Sequence, residues 1–143
     1  MIYFDSAYLA KFYLDEPESD TVRARAAAYG EVVCCVLGRV EVASVFHRKW
    51  REKSRTKAEC RTLLDQFEAD CASGLWTWFP LSGAIVSVAA MKYRSLPDTV
   101  FLRAADAIHL ACAAELGLAE IFTNDRQLLA AAPHFGLKGL AIS

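Results

Sequence analysis

No uninterrupted apolar stretch in this sequence approaches the roughly 18 residues needed to cross a bilayer. The N-terminal segment, MIYFDSAYLAK, lacks the basic residues and apolar core of a secretory signal. Positive and negative residues are nearly balanced, and the formal net charge is −1. That balance argues against a protein that coats nucleic acid through its overall charge. We therefore expect a cytoplasmic protein without membrane contact, in which any nucleic-acid binding is local.

Cysteine spacing excludes the usual metal and disulfide frameworks. The five cysteines show no C-x-x-C pair and no partnered histidine pattern, and their number is odd. They are Cys34, Cys35, Cys60, Cys71 and Cys112. We expect reduced, mostly buried thiols.

Length and composition indicate one domain spanning residues 1–143. Apolar residues make up 55% of the chain, more than in most soluble domains, and alanine supplies much of the excess. This composition favours close helix packing and a self-association face, so we expect a homodimer. The sequence contains no repeat, linker or low-complexity tract.

Short strand-like runs alternate with longer helical patterns along the whole chain. Strands are predicted at 2–4, 32–36, 75–79, 120–123 and 137–141. Helices are predicted at 6–14, 18–29, 38–52, 56–72, 82–94, from 98 or 101 to 116, and at 125–132. Such alternation is typical of a three-layer α/β/α fold with a mainly parallel central sheet of about five strands.

Four acidic residues stand out by their position: Asp5, Glu41, Asp106 and Asp125. Asp5 and Asp125 each follow a predicted strand, and the carboxyl ends of parallel strands line one crevice where ligands bind. Carboxylates held close together repel one another, and a hard divalent cation such as Mg²⁺ or Mn²⁺ neutralises them. The pattern predicts a metal-dependent reaction on phosphate.

Each of these residues also has an ordinary structural explanation. Asp5 and Asp125 could simply cap helices, and Glu41 could be a surface carboxylate paired with Arg39. Asp106 lies in an almost wholly apolar helical segment, where an unpartnered carboxylate would cost several kcal/mol. A salt bridge to Arg103 would remove that cost, and so would a bound cation.

Four further residues are candidates for supporting roles. Ser6 and Thr123 could position water or phosphate, and Asn124 could bond to the carboxylates, to a hydrated ion or to its own turn. His109 lies one helical turn beyond Asp106 on the same side of the helix. We expect His109 to orient or pack against other groups rather than to take part in catalysis.

A basic stretch, residues 48–61, holds seven Lys and Arg residues against Glu52 and Glu59, for a local charge of +5. It spans the hinge of a predicted helical hairpin. Such a stretch could contact an RNA backbone or could merely face water. The candidates for RNA contact are Arg48, Lys49, Arg51, Lys53 and Arg55.

Four segments, in this order, resemble the PIN-domain nucleases, and most closely the VapC-type toxins of prokaryotic toxin–antitoxin pairs. They are IYFDSAYLAK at 2–11 with the trailing Glu16, EVAS at 41–44, RAADAIHLA at 103–111 and TNDRQL at 123–128. The similarity covers the whole chain. Two positions depart from the family pattern: Gly38 where a Ser is frequent, and Asn124 where an apolar or aromatic residue is common.

The resemblance implies a Mg²⁺- or Mn²⁺-dependent endoribonuclease that cleaves structured RNA of the tRNA or rRNA class. It also implies a VapB-type antitoxin, whose C-terminal segment wraps the toxin and blocks the acidic site. Asp5, Glu41, Asp106 and Asp125 match the acidic quartet of that family.

Three other interpretations differ in what they require. A haloacid-dehalogenase-type phosphatase needs a second Asp two residues after Asp5, where this chain has Ala7. A non-catalytic binding or regulatory module of the same fold would use its carboxylates only as caps and would bind Mg²⁺ negligibly. A DNA-directed nuclease of the same fold is less favoured, because the short chain lacks room for extra helices that grip duplex DNA.

Overall fold

The structure, a computed structural model, describes residues 1–141. Five strands are present: β1 (Ile2–Tyr3), β2 (Val32–Cys35), β3 (Trp76–Phe79), β4 (Glu120–Phe122) and β5 (Lys138–Leu140). The helices are α1 (Ser6–Lys11), α2 (Ser19–Tyr29), α3 (Leu37–Arg51), α4 (Lys57–Ser73), α5 (Gly83–Lys92), α6 (Ala104–Glu115) and α7 (Arg126–Ala131), followed by a short 3-10 helix at Ala132–Phe135. The alternation predicted from the sequence is confirmed.

All strand pairs are parallel. One ladder joins β1, β2 and β3, and a second joins β4 and β5. A single parallel bridge between Phe4 and Phe122 connects the two ladders, which gives the strand order β3-β2-β1-β4-β5. Strands β2 and β3 lie on one side of β1, and β4 and β5 lie on the other. The topological switch point is therefore between β1 and β4, and the crevice expected there lies beyond the carboxyl ends of these two strands.

Two apolar cores flank the sheet, one on each face. Alternate strand residues face opposite ways, so Tyr3 belongs to one core while Ile2 and Phe4 belong to the other. Helices α5, α6 and α7 contribute to the Tyr3 core, and α1, α3 and α4 contribute to the Phe4 core. This is the three-layer α/β/α arrangement predicted from the alternating pattern.

Helix ends follow local chemistry in most places. A capping box between Thr56 and Glu59 starts α4, and Gly74, at φ 79°, ends it in a left-handed conformation. The prediction was wrong for α6, which begins at Ala104 rather than at residue 98 or 101. The 3-10 helix, with Pro133 in its first turn, was not predicted.

The state of the cysteines and the helical hairpin are as predicted from the sequence. All five cysteines are free, and only Cys71 is partly exposed. Helices α3 and α4 form the predicted hairpin, hinged at residues 52–56, where Lys53 has a φ of 62°. Within residues 1–141, no helix is both long and apolar enough to cross a membrane.

Candidate active site

Asp5 lies at the junction of β1 and α1 and is almost fully buried, at 4% exposure. Its Oδ1 accepts a hydrogen bond from the backbone N–H of Tyr8 at 2.7 Å, so the residue caps α1. Its Oδ2 accepts the hydroxyl of Thr123 at 2.5 Å. Asp5 therefore caps α1 with Oδ1 alone, as considered from the sequence, while Oδ2 faces the end of β4.

Asp125 occupies the equivalent place after β4, as the N-cap of α7. Its Oδ1 accepts from the backbone N–H groups of Gln127 and Leu128, at 2.8 and 3.0 Å. The backbone N–H of Asp125 donates to Thr123 Oγ1 at 3.0 Å. Thr123, which is fully buried, thus links the Asp5 carboxylate to the Asp125 main chain.

Asp106 lies in the first turn of α6 and is half-buried. This corrects the expectation of a carboxylate inside an apolar helix, because α6 starts only two residues before it. The helix N-terminus favours a negative charge there. Burial and the charge of Asp125 raise the pKa of Asp106, and Arg103, the partner considered from the sequence, lowers it only weakly.

Glu41, in α3, is joined to α6 by His109. The His109 Nε2 and the Glu41 Oε1 are 2.5 Å apart, with the histidine side chain 1% and the glutamate side chain 28% exposed. The ion pair between Glu41 and Arg39 that the sequence suggested is not formed, because Arg39 pairs with Glu68 instead. Burial lowers the pKa of His109, but contacts with Cys34 and Glu41 outweigh it, and the pKa is raised.

The carboxylates lie near enough to influence one another electrostatically. The pKa of Asp5 is raised to about 6, mainly by burial and slightly by the charge of Asp106, against hydrogen bonds from Thr123 and Tyr8 and the charge of His109. The charges of Asp125 and Glu41 also raise the pKa of Asp106. Asp106 thus interacts with each of the other three carboxylates.

This donor set suits a hard divalent cation, which prefers carboxylate oxygens. Within residues 1–141, however, no three His, Cys, Asp or Glu side chains already form a ligand cluster. One oxygen each of Asp5 and Asp125 is directed to a helix cap, and one of Glu41 is directed to His109. Asp5, Glu41, Asp106 and Asp125 are the residues that could hold such a cation.

The supporting residues predicted from the sequence lie next to the carboxylates, whereas the predicted RNA-contacting residues lie further away. Ser6 opens α1 directly after Asp5, and Asn124 is half-buried in the loop between Thr123 and Asp125. Arg48, Lys49 and Arg51 lie in the last turn of α3, about 10 to 15 Å along the helix axis from Glu41, and Lys53 and Arg55 lie in the hinge that follows. Of the five, Lys49 binds Glu16 at 3.1 Å and Arg48 lies 3.7 Å from Glu52. The other three are Arg51, Lys53 and Arg55.

Sequence reasoning did not identify Tyr3 as part of this region. Its buried hydroxyl lies 2.7 Å from His109 Nδ1. A tyrosine in a fully buried strand needs a hydrogen-bond partner, and that need was the available signal.

Gly38, noted as a departure from the family pattern, has a packing reason. A Cβ at this position would lie 2.5 Å from the Cys34 sulfur and 3.4 Å from the Trp78 ring. The sulfur thus fills the space that a larger residue at position 38 would need, and α3 approaches β2 closely.

Comparisons with known proteins agree with the fold and with the resemblance. The PIN domain family matches residues 2–133. The chain is 31% identical over 142 residues to Ribonuclease VapC47 of Mycobacterium tuberculosis (strain CDC 1551 / Oshkosh), covering 95% of this chain and 93% of that protein.

Two solved structures share the fold at low identity. One is Mycobacterium tuberculosis VapC20, described as a Sarcin-Ricin loop cleaving toxin, with a TM-score of 0.69 and 15% identity over 92% of this chain and 95% of that one. The other is FitAB bound to an IR36 DNA fragment, with a TM-score of 0.70 and 14% identity over 99% of this chain and 94% of that one. The family match and the full-length similarity to a VapC ribonuclease place this chain in the PIN-domain family, as a protein of the VapC type.

Proposed function

We propose that this chain is a Mg²⁺- or Mn²⁺-dependent endoribonuclease, the toxin of a toxin–antitoxin pair, that cleaves structured RNA in the cytoplasm. The observation that carries the proposal is the convergence of Asp5, Glu41, Asp106 and Asp125 from four segments at the switch point of a parallel sheet. Burial and, to a lesser extent, the neighbouring carboxylates raise the pKa of Asp5 and Asp106, and a bound cation would favour their charged forms.

The relatives support the substrate class. The similar protein VapC47 is a ribonuclease, and VapC20, which shares the fold, cleaves the sarcin–ricin loop. We propose tRNA or rRNA hairpins as substrates on this basis. A VapB-type antitoxin is the proposed partner that silences the enzyme.

Each acidic residue has a defined part. Asp5 and Asp106 would hold the cation directly, with Glu41 and Asp125 completing its shell directly or through water. When bound, a divalent cation activates water and offsets negative charge on the phosphate. Thr123 keeps the second oxygen of Asp5 aimed at the end of β4, and Ser6 and Thr123 provide hydroxyls that can orient water.

The basic residues at the end of α3 and in the following hinge are the proposed contact for the RNA backbone. Arg51 and Lys53 are exposed and Arg55 is partly exposed, whereas Lys49 and Arg48 already have acidic neighbours. Contacts of this kind position RNA without reading its sequence. Specificity would therefore come from RNA shape and unpaired bases.

A homodimer is proposed on the strength of exposed apolar side chains around α5. Val86, Met91 and Phe101 are 46%, 57% and 58% exposed, and Tyr93 is 45% exposed. Apolar exposure of this kind offers a candidate interaction face. Light scattering of wild type and of Met91→Glu at equal concentration tests it, since the variant should shift towards monomer.

The deciding experiment incubates the purified chain with total RNA, a tRNA pool and rRNA that contains the sarcin–ricin loop. Each is tested with Mg²⁺, with Mn²⁺ and with EDTA. Asp5→Asn and Asp106→Asn are the site variants. Asp98→Asn, a change at an exposed carboxylate of the α5–α6 loop, is the matched control.

The expected result is discrete RNA fragments from wild type and Asp98→Asn, and none from the site variants or with EDTA. Fragments that persist in EDTA or in Asp106→Asn would contradict the proposed site. Cleavage of duplex DNA instead of RNA would favour a DNA-directed nuclease. If the RNA stays intact and Mn²⁺ does not change the melting temperature of the folded protein, a non-catalytic binding module is favoured.

A further inference from the structure

A continuous chain of hydrogen bonds runs from the backbone of β2 to the carboxylate of Glu41. The backbone N–H of Cys35 donates to the Tyr3 hydroxyl oxygen at 3.0 Å. The same oxygen lies 2.7 Å from Nδ1 of His109, and Nε2 of His109 lies 2.5 Å from Oε1 of Glu41. Tyr3 and His109 are both fully buried, so water does not compete for the bond between them.

The direction of the last bond follows from its chemistry. An ionised carboxylate only accepts hydrogen bonds, so Nε2 of His109 carries the proton and donates it to Glu41. This holds whether the imidazole is neutral or positively charged. Tyr3 contacts the opposite nitrogen and, being fixed by the main chain of Cys35, prevents rotation of the ring.

Glu41 needs such support because of its location. Its side chain is partly exposed and has three rotatable bonds, so holding it in one orientation costs conformational entropy. His109 lies one turn after Asp106 on α6, whereas Glu41 is on α3. The histidine therefore sets the orientation of one carboxylate relative to another that comes from a different helix.

We propose that His109, held in place by Tyr3, is a positioning residue that orients the Glu41 carboxylate towards the divalent cation. The inference rests on the proposed metal-dependent function and adds a buried support for Glu41. Both ring nitrogens of His109 are already engaged, Nδ1 by Tyr3 and Nε2 by Glu41, so neither is available as a metal ligand. The charge of His109 also lowers the pKa of Asp5 and of Asp106. Removing a hydrogen-bond partner of a metal ligand typically lowers the metal affinity by about 10- to 100-fold.

The test uses Mn²⁺ titration calorimetry on the full-length protein. His109→Leu removes the donor, and His109→Gln places an amide N–H near the position of Nε2. Tyr3→Phe removes only the hydroxyl that holds the ring. His134→Leu, at an exposed histidine of the 3-10 helix, is the matched control.

The Mn²⁺ affinity of His109→Leu should fall roughly 10- to 100-fold, and that of Tyr3→Phe should fall by less. The His109→Gln variant should recover most of the loss, and His134→Leu should match wild type. In cleavage assays, the Mn²⁺ concentration for half-maximal rate should rise in the same order, while kcat at saturating Mn²⁺ returns towards the wild-type value.

A second measurement needs no metal. The proton NMR spectrum of the metal-free protein should contain a strongly downfield imidazole N–H resonance from the His109–Glu41 bond. It should vanish in His109→Gln and in Glu41→Ala and persist in His134→Leu. Because it reports the bond itself, it keeps the test decisive even if His109→Leu does not fold.

The outcomes separate this inference from the proposed function. Wild-type Mn²⁺ affinity in folded His109→Leu and Tyr3→Phe, together with no downfield resonance in the wild type, would overturn the positioning role while metal-dependent cleavage stands. Equal affinity loss in His109→Gln and His109→Leu would also overturn it, because a restored donor should matter. Absence of Mn²⁺ binding by the wild type would overturn both.

Discussion

The close contact between Gly38 and Cys34 makes a quantitative prediction about how α3 is seated on β2. Replacing Gly38 with alanine adds one methyl group, whose carbon would lie 2.5 Å from the Cys34 sulfur. Cys34 is fully buried on a central strand, so the sulfur has little room to move. The clash must be relieved by a shift of α3.

Two opposing terms set the size of the effect. Gly38 is the second residue of α3, so alanine gains there at most about 1 kcal/mol over glycine, whereas overpacking a core costs about 1–3 kcal/mol. Gly38→Ala should therefore change the free energy of unfolding by between about zero and a 3 kcal/mol loss. Cys34→Ala, which removes the sulfur, should restore the helix-propensity gain of alanine in the double variant.

The assay is a double-mutant cycle of Gly38→Ala and Cys34→Ala measured by urea unfolding in EDTA, with unchanged m-values required for a valid comparison. The double variant should be more stable than the sum of the single effects by about 1–3 kcal/mol. The Mn²⁺ affinity should fall in Gly38→Ala and recover in the double variant, because Glu41 lies one turn further along α3. Additive effects on stability would refute the reasoning, since they would mean that the methyl group and the sulfur do not compete for space.

Three further predictions concern the charged groups. The folded-state pKa of Asp5, about 6, exceeds its ordinary 3.8. The metal-free native state therefore retains a proton that the unfolded chain releases, and Asp5 should lower the free energy of unfolding by about 3 kcal/mol as pH rises through this interval. Urea unfolding across that pH range should show this fall in wild type and not in Asp5→Asn; equal slopes would contradict it. Thr123→Val removes a hydrogen bond that lowers the pKa of Asp5, so NMR titration of that carboxyl should show a higher pKa and calorimetry a weaker Mn²⁺ affinity, with Thr123→Ser close to wild type. Alanine at Arg51, Lys53 and Arg55 together should weaken RNA binding and flatten its dependence on salt concentration, measured by fluorescence anisotropy; an unchanged salt slope would remove these residues from the interface.

Much of the architecture was predictable because it depends on local patterns. Short β-branched and aromatic runs marked all five strands within two residues, and Thr56 and Gly74 marked both ends of α4. The start of α6 was wrong because no strong cap signals it: Arg103, its N-cap residue, makes no side-chain cap bond. The 3-10 helix at Ala132–Phe135 was missed because it continues directly from α7.

The site was predictable only as a set of positions. That Asp5 and Asp125 follow strands can be read from the sequence, and parallel pairing then brings them to one edge. The Tyr3–His109 contact joins residues 106 positions apart, and local patterning carries no information about such pairs. The packing of Gly38 against Cys34 likewise depends on how closely one helix approaches a strand.

The hydrogen bond between Thr123 and Asp5 spans 118 positions of the chain, and this separation has a consequence for how the protein is made. A growing polypeptide cannot bring Asp5, Asp106 and Asp125 together until β4 has been synthesised and has left the ribosome. Partly synthesised chains therefore lack an assembled acidic site. On the proposed function, the nuclease would thus remain inert towards RNA until β4 and Asp125 have left the ribosome.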